Sequence, residues 1–296
     1  ENVASGTGGG FFLCAGNIVE NIIEHNHAGD GGAFHSCHGT GGRNRVHGNT
    51  AGFRGGGFHD CNGLIENNLV QMNSAGFGGA FQGCQATIRF NTIVLNTADV
   101  SGGGVHDCWE ADVTGNIFWQ NQNYAVWSSA EEFQPTVVKQ NLFYQNWDGV
   151  YVHHLYTVYT DVGLINNHVD YWTDNRQGDP IFHNPAGPDK RLESIDDNDY
   201  SLQPGSAAVD LVYAVDPRLD ILSMQRPSDG DGDLNGTAYH DAGAWEFMGI
   251  IVLDPSSDTA WGANNMVQIT WSSNLQRSGT AAVSYTHLTL PTRDLV

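Results

Sequence analysis

The chain of 296 residues carries 12 lysines and arginines against 33 aspartates and glutamates, a formal net charge of −21. A surface so negative excludes nucleic acid and anionic membranes as partners, because both repel it. No apolar run reaches the length of a bilayer, so no transmembrane segment is expected, and the composition suits a secreted protein able to hold divalent cations.

In chain order, the first feature is a repeat. The five cysteines, Cys14, Cys37, Cys61, Cys84 and Cys108, recur at intervals of 23, 24, 23 and 24 residues. Each follows a glycine-rich run, such as Gly31-Gly32-Ala33-Phe34 or Gly55-Gly56-Gly57-Phe58, and precedes two asparagines five apart. Those pairs are Asn21/Asn26, Asn44/Asn49, Asn68/Asn73, Asn91/Asn96, Asn116/Asn121 and, after the cysteines stop, Asn141/Asn146. Asn2 has the spacing of a closing asparagine, so the chain is expected to begin inside a coil, as a metagenomic fragment would. A period of this length without helical spacing marks a solenoid.

Each coil reads as three short strands. The first holds the phenylalanine anchor, the second an apolar residue before the first asparagine (Ile18, Ile65, Ile88, Val113), and the third follows that asparagine. Strands so short bury a face only by stacking, which places like residues in ladders about 4.8 Å apart. Asparagine suits the corners because it tolerates left-handed backbone and its amide can bond the next asparagine.

The run Gly-Gly-x-Phe-x-x-Cys followed by the asparagine pair resembles the right-handed parallel β-helix repeats of the pectate-lyase-like superfamily. Further along, Gly178-Asp179-Pro180-Ile181-Phe182, Tyr200-Ser201-Leu202-Gln203-Pro204-Gly205-Ser206 and Asp241-Ala242-Gly243-Ala244-Trp245-Glu246-Phe247 resemble the end of bacterial choice-of-anchor Q proteins, which are secreted or attached to the cell surface. Beyond Ile250, alternating apolar and polar residues resemble the opening of an immunoglobulin-like sandwich, and Val283 to Thr292 resembles a translated sequencing adapter. The expected fold is therefore all-β. A right-handed parallel β-helix of about six coils fills 1–165, a cap over 166–248 closes its apolar end, a truncated β-sandwich occupies 249–282, and an adapter-derived scar follows at 283–296.

Candidate site residues come from strand alternation. If the phenylalanine points inward, its neighbour points outward. That position holds Phe12, His35, His59, Gln82 and His106, and the later, shorter coils place Trp127 and Tyr151 there. A stripe of rings and imidazoles suits a linear polysaccharide, because rings stack on sugar faces and imidazoles bond hydroxyls. The resemblance agrees, since pectate-lyase-like enzymes carry their substrate groove on this part of the coil. The same stripe also reads as a solvated exposed ladder.

Asp60 and Asp107 follow His59 and His106 two coils apart, about 9.6 Å by ladder spacing, at the edge of the carboxylate separation of inverting glycosidases. They share a face with the histidines only where the strand bends. His59, Asp60, His106 and Asp107 are thus the catalytic candidates, either for hydrolysis or for β-elimination with calcium on a uronate carboxylate. Arg43 and Arg45, with Arg54 nearby, form a local basic exception able to pair with a substrate carboxylate, or a solvated bulge. Asp229, Asp231 and Asp233 alternate as in a calcium loop, but His240 stands where an EF-hand needs its last acid; with Asp196 and Asp197 they make a weak calcium site or an acidic turn. The paired aspartates and Gly-His-Gly of galacturonases are absent, so no family's catalytic residues carry over. The five cysteines read as structural, since a ladder does not converge on a metal.

Two functions stay open. One is an extracellular monomer that binds, and in one version cleaves, an acidic or neutral polysaccharide as a lyase or hydrolase. The other is a non-catalytic surface adhesion or scaffold protein. A walled groove around the stripe favours the first; an open flat face favours the second.

Overall fold

The computed structural model describes residues 1–153, 157–192, 197–213, 218–226 and 239–247, and the backbone of three strands between 250 and 284. The solenoid expectation holds. Successive coils stack as parallel strands, and the four glycine-rich runs ending in phenylalanine, the fifth ending in Val105 and their successors form one sheet: Phe11–Phe12, Phe34–His35, Phe58–His59, Phe81–Gln82, Val105–His106, Val126–Trp127 and Tyr151–His153, closed by the antiparallel Thr157–Tyr159. A second sheet runs from Ile18–Val19 to Trp172–Thr173, and a third from Ile22–Glu24 to Arg176–Gln177.

Each early coil contains a fourth strand that the repeat reading missed. His27–Asp30, Thr50–Arg54, Ser74–Phe77 and Thr97–Ser101 make a four-stranded sheet. Its inward ladder is only alanine (Ala28, Ala51, Ala75, Ala98), all buried, so the signal was small side chains rather than anchors.

Identical residues fall above one another. Phe34, Phe58 and Phe81 are in register, with ring centroids 4.5 and 4.9 Å apart and planes within 7°. Cys61, Cys84 and Cys108 are buried beside them as free thiols, each within reach of the carbonyl two residues earlier (3.4, 3.5 and 3.5 Å). Burial pushes the Cys61 and Cys84 thiols well up from their ordinary value, so they pack as small protonated hydrophobes.

The asparagines form two continuous ladders. Asn68 donates its backbone N–H and its side-chain amide to Asn91 Oδ1, both at 2.9 Å, and its amide also donates to the Gly41 carbonyl at 2.8 Å. Asn175, outside the sequence pairs, extends the inner ladder by accepting from the Asn141 backbone at 3.0 Å. These buried amides satisfy the corners, where a chain leaving one sheet would otherwise strand its polar groups.

The end of the solenoid is closed by a short helix, α1 (Val162–His168), whose N-terminus is capped by Asp161 and whose Val162 and Ile165 join the core with Trp172. The described residues between 178 and 247 do not continue that plug. They lie along the outer flank of the third sheet, where Leu69, Val94, Ile117, Trp119 and Leu142 meet Phe182, Tyr200, Leu202, Val212 and Trp245 in a second core. The cap is therefore an end plug followed by a lateral layer. The third-sheet strands explain it, since Ile117–Trp119 and Leu142–Tyr144 are apolar on both faces and cannot leave one in water. Ile250–Asp254, Met266–Ser273 and Arg277–Ser284 form an antiparallel meander, the last strand reaching just past the expected boundary at 283.

Candidate functional site

The outward stripe exists and is walled. His59, Gln82, His106 and Trp127 stand in register on four successive rungs of the first sheet. They floor a groove of about 740 Å³. Arg54, Phe77 and Val100, at the ends of fourth-sheet strands, form one wall, and Trp109 and Phe133 form the other with ring centroids 5.9 Å apart. Phe12 and His35 continue the stripe beyond the walls: Phe12 lies 5.4 Å from His35, and His35 lies 4.7 Å from His59.

The condition set for the aspartates is met. The residue after each stripe position adopts left-handed backbone: Leu13, Ser36, Asp60, Gly83 and Asp107 have φ between 46° and 62°. That turn ends the strand and breaks alternation, so Asp60 and Asp107 line the same groove as His59 and His106. Asp60 accepts from Ser36 Oγ at 3.0 Å, and Asp107 accepts from the backbone N–H and the hydroxyl of Ser129, both at 2.6 Å. Both carboxylates are thereby fixed in orientation.

The imidazoles are neutral at neutral pH. Burial first, and the neighbouring His35 second, bring His59 down to about 4. Burial also lowers His35 and His106, outweighing the nearby carboxylates. The His106 Nδ1 to Asp107 Oδ2 contact of 3.4 Å satisfies an ion-pair distance but not a hydrogen bond, and with the imidazole neutral it is a polar contact only. Nδ1 of His59 and His106 and Oε1 of Gln82 in the groove floor, and Nδ1 of His35 beyond it, are buried without a hydrogen-bond partner.

Other predicted residues lie elsewhere. Tyr151 does not face outward. It pairs with Val126 rather than Trp127, is fully buried, and bonds the Tyr171 hydroxyl at 2.6 Å; Val152 takes the stripe position. The coil is one residue out of step with the spacing assumed from sequence, and a slip of one residue exchanges the two faces. Arg43 and Arg45 also stand away from the groove. Arg43 closes on Glu20 at 2.7 Å at the corner between the second and third sheets, and Arg45 sits in the third sheet. The arginine that reaches the groove is Arg54. Asp229, Asp231, Asp233 and Asp196 fall outside the described residues. Among the described residues, no three His, Cys, Asp or Glu side chains are grouped to hold a metal ion. Trp109 and Phe133 were missed because no like residue recurs at the coil interval, whereas Phe77 had a signal, the Ala-Gly-Phe of 51–53 repeated at 75–77, that belongs to the overlooked fourth strand.

Coils in continuous parallel register, asparagine-cornered and carrying a walled trough across one sheet, define a parallel β-helix protein of the pectate-lyase-like superfamily. Within it, the chain belongs to the NosD family: the family model described as "Periplasmic copper-binding protein (NosD)" matches residues 2–177. The matched span stops before the segments that resemble choice-of-anchor Q proteins. No curated protein and no solved structure matches the chain.

Proposed function

We propose that this is a periplasmic or extracellular protein that binds a neutral, hydroxyl-rich polysaccharide along the groove of the first sheet. The carrying observation is the floor itself: His59, Gln82, His106 and Trp127 on consecutive rungs between aromatic walls. Ring faces pack on the apolar faces of sugars, while imidazole and amide atoms exchange hydrogen bonds with hydroxyls. The groove is complete within one chain. No described helix is long and apolar enough to cross a membrane.

Charge selects the polymer. With the imidazoles neutral, the groove's formal charges are Arg54 against Asp60 and Asp107, within a chain of net charge −21. A polyuronate meets a repulsive field there, whereas neutral hydroxyls find two fixed carboxylates ready to accept from them. His59, Asp60, His106 and Asp107 act in this reading as binding groups.

The family name mentions copper, and the described residues do not fit it. The His35 and His59 rings stand 4.7 Å apart and tilted by 53°, and no third His, Cys, Asp or Glu among the described residues joins them in a group able to hold a metal ion. The cysteine ladder offers protonated, buried thiols turned toward carbonyls, not thiolates converging on an ion.

Binding isotherms of the full chain with glucan, mannan, xylan and polygalacturonate, with and without calcium, test the proposal. Binding of a neutral polymer that is independent of calcium and weakened at least tenfold by Trp127→Ala is expected. Preference for polygalacturonate, or no effect of Trp127→Ala, would overturn it.

A further inference from the structure

The second sheet has its own cavity, about 610 Å³, on a face of the solenoid distinct from the groove. Its floor is a ladder in which Arg89, Thr114, Lys139 and Thr173 stand in register on successive rungs. Tyr171 and Tyr213 stand at its margins, the latter contributed by the lateral layer. The Tyr171 ring is fixed by its hydroxyl bond to Tyr151. A crevice of this size between two structural layers is a usual place for a small-ligand site.

Two groups in it stand without a hydrogen-bond or ion-pair partner among the described residues. Gln140 is 2% exposed, lines the cavity, and holds Oε1 buried with no hydrogen bond. A buried amide oxygen left so costs about 1–3 kcal/mol, which a ligand donor would recover. Lys139 makes no ion pair among the described residues, although Arg43, Arg89 and Arg226 are each closed on a glutamate. A buried acceptor without a hydrogen bond and a half-buried ammonium without an ion pair, adjacent in sequence, suit a ligand that gives and takes hydrogen bonds over a short span. Arg89 is already neutralised by Glu66, and Lys139 faces Asp112 and Asp170 around the cavity, so an uncharged ligand is favoured there over an anion.

We propose that this crevice is a second carbohydrate site, independent of the groove, in which one sugar hydroxyl donates to Gln140, another oxygen accepts from Lys139, and a ring face rests on Tyr213. Lys139 and Lys190 are the chain's only lysines, and Lys190 is exposed. That makes amine acylation, followed residue by residue with mass spectrometry, a direct probe. The full chain would be acylated with and without gluco-, manno- and xylohexaose, as wild type, Trp127→Ala and Tyr213→Ala.

Acylation of Lys139 should slow about tenfold at a ligand concentration about ten times Kd, while Lys190 is unchanged. The protection should survive Trp127→Ala and vanish in Tyr213→Ala, whose side chain is 57% exposed in the wild type. Unchanged Lys139 rates with every sugar, or protection that persists in Tyr213→Ala, would overturn the second site. Protection abolished by Trp127→Ala would do the same while sparing the groove. Full binding in Trp127→Ala with Lys139 protected would instead sink the groove and keep the crevice.

Discussion

Arg226 and Glu246 meet at 3.0 Å with both side chains fully buried, inside the layer that covers the third sheet. The guanidinium also donates to Asn67 Oδ1 at 2.7 Å and lies 4.5 Å over the Phe90 ring, so it ties the layer to two successive turns of the solenoid. Removing one partner of such a pair strands the other charge. Arg226→Ala should therefore cost about 3–5 kcal/mol, seen as a lower denaturant midpoint together with new binding of a hydrophobic dye to the uncovered third sheet. An unchanged midpoint would contradict the tie.

The asparagine ladders make a second prediction. Asn96 Oδ1 accepts from the backbone and the amide of Asn73, and its own amide donates to Asn121 Oδ1, Val70 O and Val94 O. Asn96→Asp keeps the size but turns the donor into a charged acceptor facing three oxygens. The expected loss is about 3 kcal/mol or more in equilibrium unfolding, and a substitution tolerated within about 0.5 kcal/mol would show that the ladder is ornamental.

Asp60 separates fold from binding. Gly83 occupies the equivalent left-handed position one rung on, so the backbone there accepts glycine without strain. Asp60→Gly should leave the melting temperature nearly unchanged and weaken neutral-polysaccharide binding several-fold. A large drop in melting temperature would assign the carboxylate to the fold instead.

The depressed histidines set a pH dependence. Burial brings His47 and His59 down to about 4 from an ordinary value near 6.5. Between those values the unfolded chain binds more protons, so this stability is fully present above pH 6.5 and is lost as pH falls toward 4. Asp241 acts oppositely: burial and the Glu246 charge raise its carboxyl, favouring the folded state at the acid end. Comparing the wild type with His47→Gln/His59→Gln isolates the imidazoles. The wild type should lose on the order of 2 kcal/mol more between pH 7 and 4.5, a figure already reduced for partial solvation. Parallel curves for the two proteins would refute it.

The coil interval made the rungs, the inward phenylalanines and the stripe legible, because stacking turns sequence spacing directly into height. Asp60 and Asp107 were legible only conditionally, since whether they join the stripe depends on a backbone sign, φ, that aspartate and glycine both tolerate. Tyr151 failed because the interval loosens after Cys108, and with short strands one residue decides which face a ring takes. Trp109 takes a repeat position that holds Ala15, His38, Asn62 and Gln85 in the other coils, and Phe133 lies in a longer stretch between strands, so no aromatic ladder announces either. The lateral layer had a signal that went unread: strands apolar at three consecutive residues, as in Ile117–Trp119, need cover on both sides.

The left-handed residue that closes each first-sheet strand has a wider consequence. Because it recurs on rung after rung at a fixed place, it gives the molecule two parallel files of side chains where a plain strand would offer one: His59, Gln82 and His106 in one, Asp60, Gly83 and Asp107 in the other. One file can vary while the other holds still. Duplication of a single coil would lengthen both together, so the reach of the trough can grow by whole steps while its chemistry is edited one side chain at a time.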